Sequence, residues 1–191
     1  MVNSCMAKTE STMLPLGSPA PEFELTDVIS GRRTSLATFQ NEKALLVMFI
    51  CRHCPYVKHV QAQLAQIGKD YADRRVGIVA ISSNDAMAYP DDAPAGLRQQ
   101  AEELGFTFAY CYDESQDAAR AFNAVCTPEF YVFDEERALV YRGQLDESRR
   151  HTAIPVTGRD VRAALDAVLD GGTINPQQTP SIGCSIKWRD S

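Results

Sequence analysis

The sequence predicts an α/β fold with a central mixed β-sheet flanked by helices, and three observations carry that reading. The apolar run from Ala44 to Ile50 is short and has no polar face, as expected of a strand buried on both sides. From Pro55 onward the apolar residues Val57, Val60, Leu64, Ile67 and Tyr71 recur at three and four, the stripe of an amphipathic helix. A second apolar stretch, Val76 to Ile81, comes next, and a strand, helix, strand unit of this kind makes parallel neighbours joined by a right-handed crossover.

The remaining elements are taken in chain order. Residues 1–14 mix Cys5, Lys8 and Glu10 with Ser and Thr, and are expected to be a flexible arm. After a Pro-rich stretch from Leu16, the alternating Phe23 and Leu25 mark a strand, and Gly31 to Leu36 is the return arm of a small hairpin. The long helix is expected to end near Asp73, and residues 86–94 form a Pro/Asp-rich loop. A second helix over 95–104 turns Leu97, Ala101 and Leu104 inward, and aromatics at 106, 108, 110 and 112 alternate as in a short strand. Asp113, with Gln116 three residues later, is a capping signal for a helix through Phe122. Pro128 cannot donate to a ladder, so it marks the start of a strand from Phe130 to Asp134, with Ala138 to Gln144 as its antiparallel partner. Thr157 and Asp160 cap a last helix with Val161, Leu165, Val168 and Leu169 inward, stopped by Gly171-Gly172. The expected organisation is an arm over 1–14, one domain over 15–172 and a tail over 173–191 packed on or near it.

Composition narrows the function. Hydrophobic residues at 45% and charged residues at 23% are ordinary for a globular chain, and a core of this size needs no disulfide staples. A net charge of −6 without a basic cluster speaks against a nucleic-acid partner, and no apolar run reaches the length of a membrane span. The first 14 residues lack the apolar core of a secretory leader, and six cysteines do not make a disulfide framework. A cytoplasmic protein with one working cysteine pair is expected, as a monomer or homodimer.

That pair is Cys51 and Cys54, in Cys51-Arg52-His53-Cys54-Pro55 at the junction of the buried strand and the long helix. A helix N-terminus presents free N–H groups and partial positive charge, both favouring thiolate, and Arg52 and His53 are expected to push the same way. Cys51 is therefore the expected nucleophile, with Cys54 three residues on, near enough to close a disulfide. Two cysteines at this spacing also suit half of a zinc site, but a second CxxC or an HxxxH is missing, leaving His59 and Cys126 as irregular recruits. Inert core thiols are the third reading.

In the order of its elements the chain resembles the thioredoxin superfamily. The marks are strand-CxxC-helix, a following strand, and Thr127-Pro128 before an antiparallel strand pair and a closing helix. The segment Gly17-Ser18-Pro19-Ala20-Pro21-Glu22-Phe23 resembles the peroxiredoxin and TlpA-like branch. More closely, the segment from Cys51 to His59, Arg142-Gly143-Gln144-Leu145-Asp146 and the tail from Pro180 to Trp188 resemble peroxiredoxin-like (AhpC/TSA-related) redoxins that carry a CxxC. The resemblance implies a thioredoxin-like fold with an N-terminal β-hairpin extension and C-terminal tail, and a cis Thr127-Pro128 bond facing the cysteines. It also brings departures. If Cys54 matches the peroxidatic cysteine, Cys51 stands where peroxiredoxins carry Thr, and Thr127-Pro128 stands where they carry Arg. Thioredoxin's buried Asp is here Leu45, which leaves Glu129 as the candidate proton acceptor, although a salt-bridged surface Glu fits the sequence equally.

These readings imply a thiol-disulfide oxidoreductase acting on protein or small-molecule disulfides and recharged by a thiol reductant, without metal or cofactor. Its site would comprise Cys51, Arg52, His53, Cys54, Thr127, Pro128 and Glu129, with Cys126 and Cys184 as further redox candidates. A thiol peroxidase in which Cys54 attacks peroxide, and a copper or zinc carrier built on the two cysteines and a histidine, are the alternatives. His59 and His151 read as ordinary helix and loop residues.

Overall fold

The computed structural model describes residues 8–189. Four strands with all-buried or mostly buried side chains make the middle of the main sheet: β4 (Ala44–Phe49), β5 (Val76–Ser82), β6 (Ala109–Tyr112) and β8 (Glu129–Phe133). β4 pairs in parallel with β5 and β5 with β6, while β8 runs antiparallel to β4. The hairpin of β2 (Glu24–Asp27) and β3 (Arg33–Ser35) extends one edge and β9 (Leu139–Gly143) the other, giving the order β3-β2-β6-β5-β4-β8-β9. The sheet is mixed, as the sequence predicts.

Period-two alternation divides each central strand between two apolar clusters. Leu46, Met48 and Ile50 face the cluster filled by α1 (Pro55–Asp70), α2 (Pro94–Leu104) and α4 (Arg159–Asp170), while Leu45, Val47 and Phe49 face the one filled by Phe39, Phe122 and α3 (Asp117–Ala121). All six side chains of β4 are at most 1% exposed. At about 1.5–3 kcal/mol for each large apolar side chain removed from water, this strand is a main source of stability and a rigid support for the cysteine loop at its C-terminal end.

Several elements depart from the sequence reading. Residues 8–14 are paired rather than loose: β1 (Lys8–Glu10) is a strand, Ser11 N donates to Ser181 O at 3.0 Å, and Arg142 Nε donates to Leu14 O at 2.7 Å. The tail supplies the partner as β10 (Ile182–Ser185), which lies between β1 and β7 (Cys126–Thr127) in a second, antiparallel sheet. So short a polar strand has no hydrophobic pattern of its own, and its order comes from backbone bonds to a distant segment. Cys5 lies outside the described residues. Asp113 does not begin α3; its carboxylate accepts from Ala118 N and Ala119 N, while Gln116, at φ 64, occupies the N-cap and donates from Nε2 to Lys187 O at 2.9 Å. The N-cap of α4 is Gly158, and the Asp146 carboxylate accepts from Thr157 N and Gly158 N at 2.7 and 2.6 Å. α1 stops at Asp70, three residues earlier than expected, and Phe106 and Phe108 precede β6 as buried, stacked rings. No helix among the described residues is long and apolar enough to cross a membrane.

Candidate active site

The chain leaves β4, crosses Cys51 to His53 without regular structure, and enters α1 at Pro55, so Cys54 is the helix N-cap. Opposite stands the cis Thr127-Pro128 bond, which turns β7 into β8. Cys51 and Cys54 are both 0% exposed. The Cys51 Sγ lies 3.5 Å from Thr127 Oγ1 and 3.9 Å from His53 Nδ1, and the Cys54 Sγ lies 3.3 Å from the Thr127 carbonyl oxygen. Cys184 in β10 is directly across from Thr127 in register and shares a buried cluster with Cys51 and Cys54.

Asp92 ends a short helical turn (Pro90–Asp92) just before α2 and is fully buried. Its Oδ1 accepts from the backbone of Arg52 at 2.8 Å and of His53 at 3.1 Å, and its Oδ2 accepts from Asn84 Nδ2 at 2.8 Å and from His53 Nδ1. A carboxylate with its acceptor sites filled this way orients the imidazole and pins the cysteine loop. Tyr89 stacks on the other side of His53, with centroids 4.8 Å apart, and His53 Nε2 is buried without a partner among the described residues. The Arg52 guanidinium is turned away, bonded to Gly96 O and Gln99 Oε1.

The electrostatics assign the two sulphurs in the opposite sense to the sequence expectation. Burial pushes the Cys51 thiol well up, helped by its hydrogen bond to Cys54 and by the negative charge of Asp92. Cys54 is held at about 2 by hydrogen bonds from Cys184 and then Cys51, which outweigh its burial. The physical reason is position: Cys54, not Cys51, occupies the helix N-cap and gathers thiol donors, whereas Cys51 lies next to a buried carboxylate. The pull toward thiolate falls on Cys54, whose Sγ as a thiol donates to the Thr127 carbonyl oxygen.

Glu129 does not meet the pair. It alternates with Phe130, which belongs to the same cluster as Cys51 and Cys54, and so projects to the opposite face of the sheet. There its carboxyl accepts from Tyr131 Oη at 2.8 Å and Val125 N at 3.0 Å, with the Cys126 Sγ 3.7 Å away; burial raises its pKa above the usual carboxylate range. Cys126 is likewise pushed up by burial, then by the Glu129 charge. The structure thus gathers Cys51, His53, Cys54, Thr127, Pro128 and Cys184, leaves Arg52 as a brace, and sets Glu129 and Cys126 apart. His59 bonds Ser148 Oγ at 3.3 Å beside a shallow groove that also includes Tyr56, Pro128 and Leu145, and His151 is an exposed loop residue. The sequence reading places Ser82 to Asp85 on the sheet edge of the cysteines but gives no role to Asn84 or Asp92. Their signal was the placement of the β5 end and its acidic loop on the same sheet edge as the cysteines, where open α/β sheets bind ligands.

The donor atoms of Cys51, His53 and Asp92 lie within 4.8 Å of one another, a thiolate, imidazole and carboxylate set of the kind that holds a soft or borderline metal. The imidazole nitrogen in that set is already engaged by Asp92.

The AhpC/TSA family profile matches residues 16–142, from the stretch before β2 into β9. The chain belongs to the AhpC/TSA family. An uncharacterized conserved protein from Geobacillus kaustophilus is 52% identical, with a TM-score of 0.96 over 98% of this chain and 99% of that one. The thioredoxin domain of a thiol-disulfide oxidoreductase from Bacteroides vulgatus is 20% identical and superimposes with a TM-score of 0.60, covering 78% of this chain and 97% of the domain. The fold of this AhpC/TSA protein is thus thioredoxin-like. Protein FixW of Rhizobium leguminosarum is 28% identical over 143 residues, 71% of this chain; the match takes in 63% of FixW.

Proposed function

We propose that this AhpC/TSA protein is a thiol-disulfide oxidoreductase in which Cys51 attacks and Cys54 resolves. The reading rests on one observation: two buried cysteines three residues apart at the strand-to-helix turn, both against the cis-proline turn, with the Cys51 Sγ facing the Thr127 hydroxyl and His53 Nδ1 and the Cys54 Sγ donating to the Thr127 carbonyl. Attack requires Cys51 to lose its proton to solvent, against the upward pull of burial and Asp92. The Thr127 hydroxyl and the His53 Nδ1 edge face the new charge, while the Cys54 thiol donates to the Thr127 carbonyl 3.3 Å away. Because Nδ1 is directed at Asp92, His53 steadies the Cys51 thiolate rather than removing its proton.

The Cys51 thiolate attacks one sulphur of a substrate disulfide, whose S–S bond breaks and whose other sulphur leaves as a thiol after taking a proton. Cys54 then attacks the Cys51 sulphur, expelling the second substrate thiol and closing a Cys51–Cys54 disulfide, which a small or protein thiol reductant reopens. Substrates would reach the cysteines along the groove beside Pro128. A reducing compartment such as the cytoplasm suits a resting state built on free thiols.

Cys51→Ser is expected to abolish disulfide reduction, and Cys54→Ser to accumulate a mixed disulfide with substrate at Cys51, both read by mass mapping of alkylated protein. Turnover retained in Cys51→Ser would overturn the assignment. A peroxidase reading draws support from the downward pull on Cys54, which stands at the place of peroxide attack when it is matched to the peroxidatic cysteine. On that reading Cys51→Ser still consumes one equivalent of hydrogen peroxide and stops at a Cys54 sulfenic acid. We favour disulfide exchange because Thr127-Pro128 occupies the place of the peroxide-binding arginine and Cys51 that of the threonine.

A further inference from the structure

Cys184 is joined to this site by the fold rather than by sequence proximity. β10 lies antiparallel against β7, with Cys184 opposite Thr127 and Ser185 opposite Cys126. The strand is held flush to the cis-proline turn: a Cβ on Gly183 would stand 1.9 Å from the Thr127 carbonyl oxygen, so no other residue permits this approach. Beyond the strand, Lys187 N donates to Asn84 Oδ1 and Asp85 N to Lys187 O, both at 2.8 Å, tying the tail to the residues that hold Asp92. Cys184 is 1% exposed and shares one buried cluster with Cys51 and Cys54. Thr127 ties the three together: its carbonyl accepts from the Cys54 Sγ at 3.3 Å, its hydroxyl lies 3.5 Å from the Cys51 Sγ, and Cys184 is its partner across the ladder.

We propose that Cys184 is a third redox thiol, which attacks Cys54 in the Cys51–Cys54 disulfide and moves the bond into the tail strand. The proposal rests on the pair function given above. In the step, the Cys184–Cys54 bond forms as the Cys54–Cys51 bond breaks, and the proton lost by Cys184 goes to the departing Cys51 sulphur. One thiol and one disulfide enter the step and one thiol and one disulfide leave it, so no outside oxidant or reductant is needed. Cys51 is thereby freed for another attack while the oxidised bond lies beneath β10.

The geometry also makes the step conditional on oxidation. In the reduced site Cys184 is raised chiefly by its hydrogen bond to Cys54, by burial and by the Cys54 charge, and is lowered by Lys187 and Arg150. Once Cys54 is in a disulfide its charge and its role as acceptor are gone, and the two basic side chains remain. Oxidation of Cys54 therefore makes the Cys184 proton easier to lose, against the burial that persists.

The test treats wild type and Cys51→Ser with one equivalent of diamide, quenches in acid, alkylates free thiols and maps the disulfides. Wild type is expected to hold the Cys51–Cys54 bond together with a detectable Cys54–Cys184 fraction, and Cys51→Ser to hold Cys54–Cys184 as its main product. If wild type forms the Cys51–Cys54 bond and turns over, while both proteins leave Cys184 fully alkylated, the relay is overturned and the pair reading stands. If Cys54 of wild type bonds Cys184 and never Cys51, the pair reading fails and takes the relay with it. The wild-type map decides the matter even if Cys51→Ser fails to fold.

Discussion

Asp92 and the cysteine beside it work against each other, and the balance between them is measurable. The carboxylate fixes the Arg52 and His53 backbone while its charge holds the Cys51 thiol up. Asp92→Asn is expected to make Cys51 more acidic, moving the pH dependence of its alkylation downward, and to cost about 1–3 kcal/mol in folding stability because a side-chain amide cannot satisfy all four donors. An unmoved Cys51 profile would remove Asp92 from the electrostatics of the pair. Glu129→Gln tests the residue that lies on the far face of the sheet. Its carboxyl is raised by burial, so the folded state binds the proton more tightly and stability falls as pH rises from the unfolded carboxylate value through the folded one. The glutamine removes the charge and keeps one acceptor oxygen, losing the bonds made to the other; the variant should lose that pH dependence in thermal melts yet cycle Cys51 and Cys54 normally, and a loss of disulfide reduction would return Glu129 to the site. At this scale Cys51, Cys54 and the Thr127-Pro128 bond were legible, because a motif at a strand-to-helix junction and a proline before a strand are local patterns. Asp92 was not, since its partner His53 is 39 residues away and its burial depends on how an irregular loop folds.

The same distinction holds for elements. β4, α1, β5, α2 and the β8–β9 pair are set by hydrophobic period, and the hairpin of β2 and β3 by its alternating arms. β1 and β10 carry no such signal: Lys8–Glu10 is wholly polar, Ile182–Ser185 contains one large apolar residue, and the bond that anchors them joins Ser11 to Ser181. What does write β10 into the sequence is Gly183, where the Thr127 backbone leaves no room for a side chain. Because the obstacle is main chain and not a flexible tip, Gly183→Ala should lift the strand, at a cost of about 1–3 kcal/mol. Cys184, now 1% exposed, should then be alkylated much faster in the native reduced protein. Equal alkylation rates in variant and wild type would show that the strand tolerates the added methyl where it lies.

For the molecule as a whole, the thiolate at Cys54 links folding, pH and redox state. Cys54 falls from its ordinary 9.0 to about 2 in the folded reduced protein. A depressed acid group of this kind contributes stability that is full above the unfolded value and is lost as pH falls toward the folded one. Oxidation removes the thiolate and that contribution with it, while closing so short a loop takes little entropy from the unfolded chain. At neutral pH the reduced protein should therefore unfold at higher urea than the oxidised protein, and the difference should shrink in acid. The same stabilisation favours reduction, so the potential of the pair should lie well above the roughly −270 mV of thioredoxin, on the side of a disulfide donor or isomerase. Proton stoichiometry tests this: with Cys51 pulled up by burial and Asp92 and Cys54 pulled down, a reduced pair of one thiol and one thiolate takes up two electrons and one proton. Near neutral pH the potential should fall by about 30 mV per pH unit, the two-electron, one-proton slope. Equilibration with glutathione over a pH series measures it, and a slope of about 59 mV would mean that both sulphurs are protonated and that Cys54 is no thiolate.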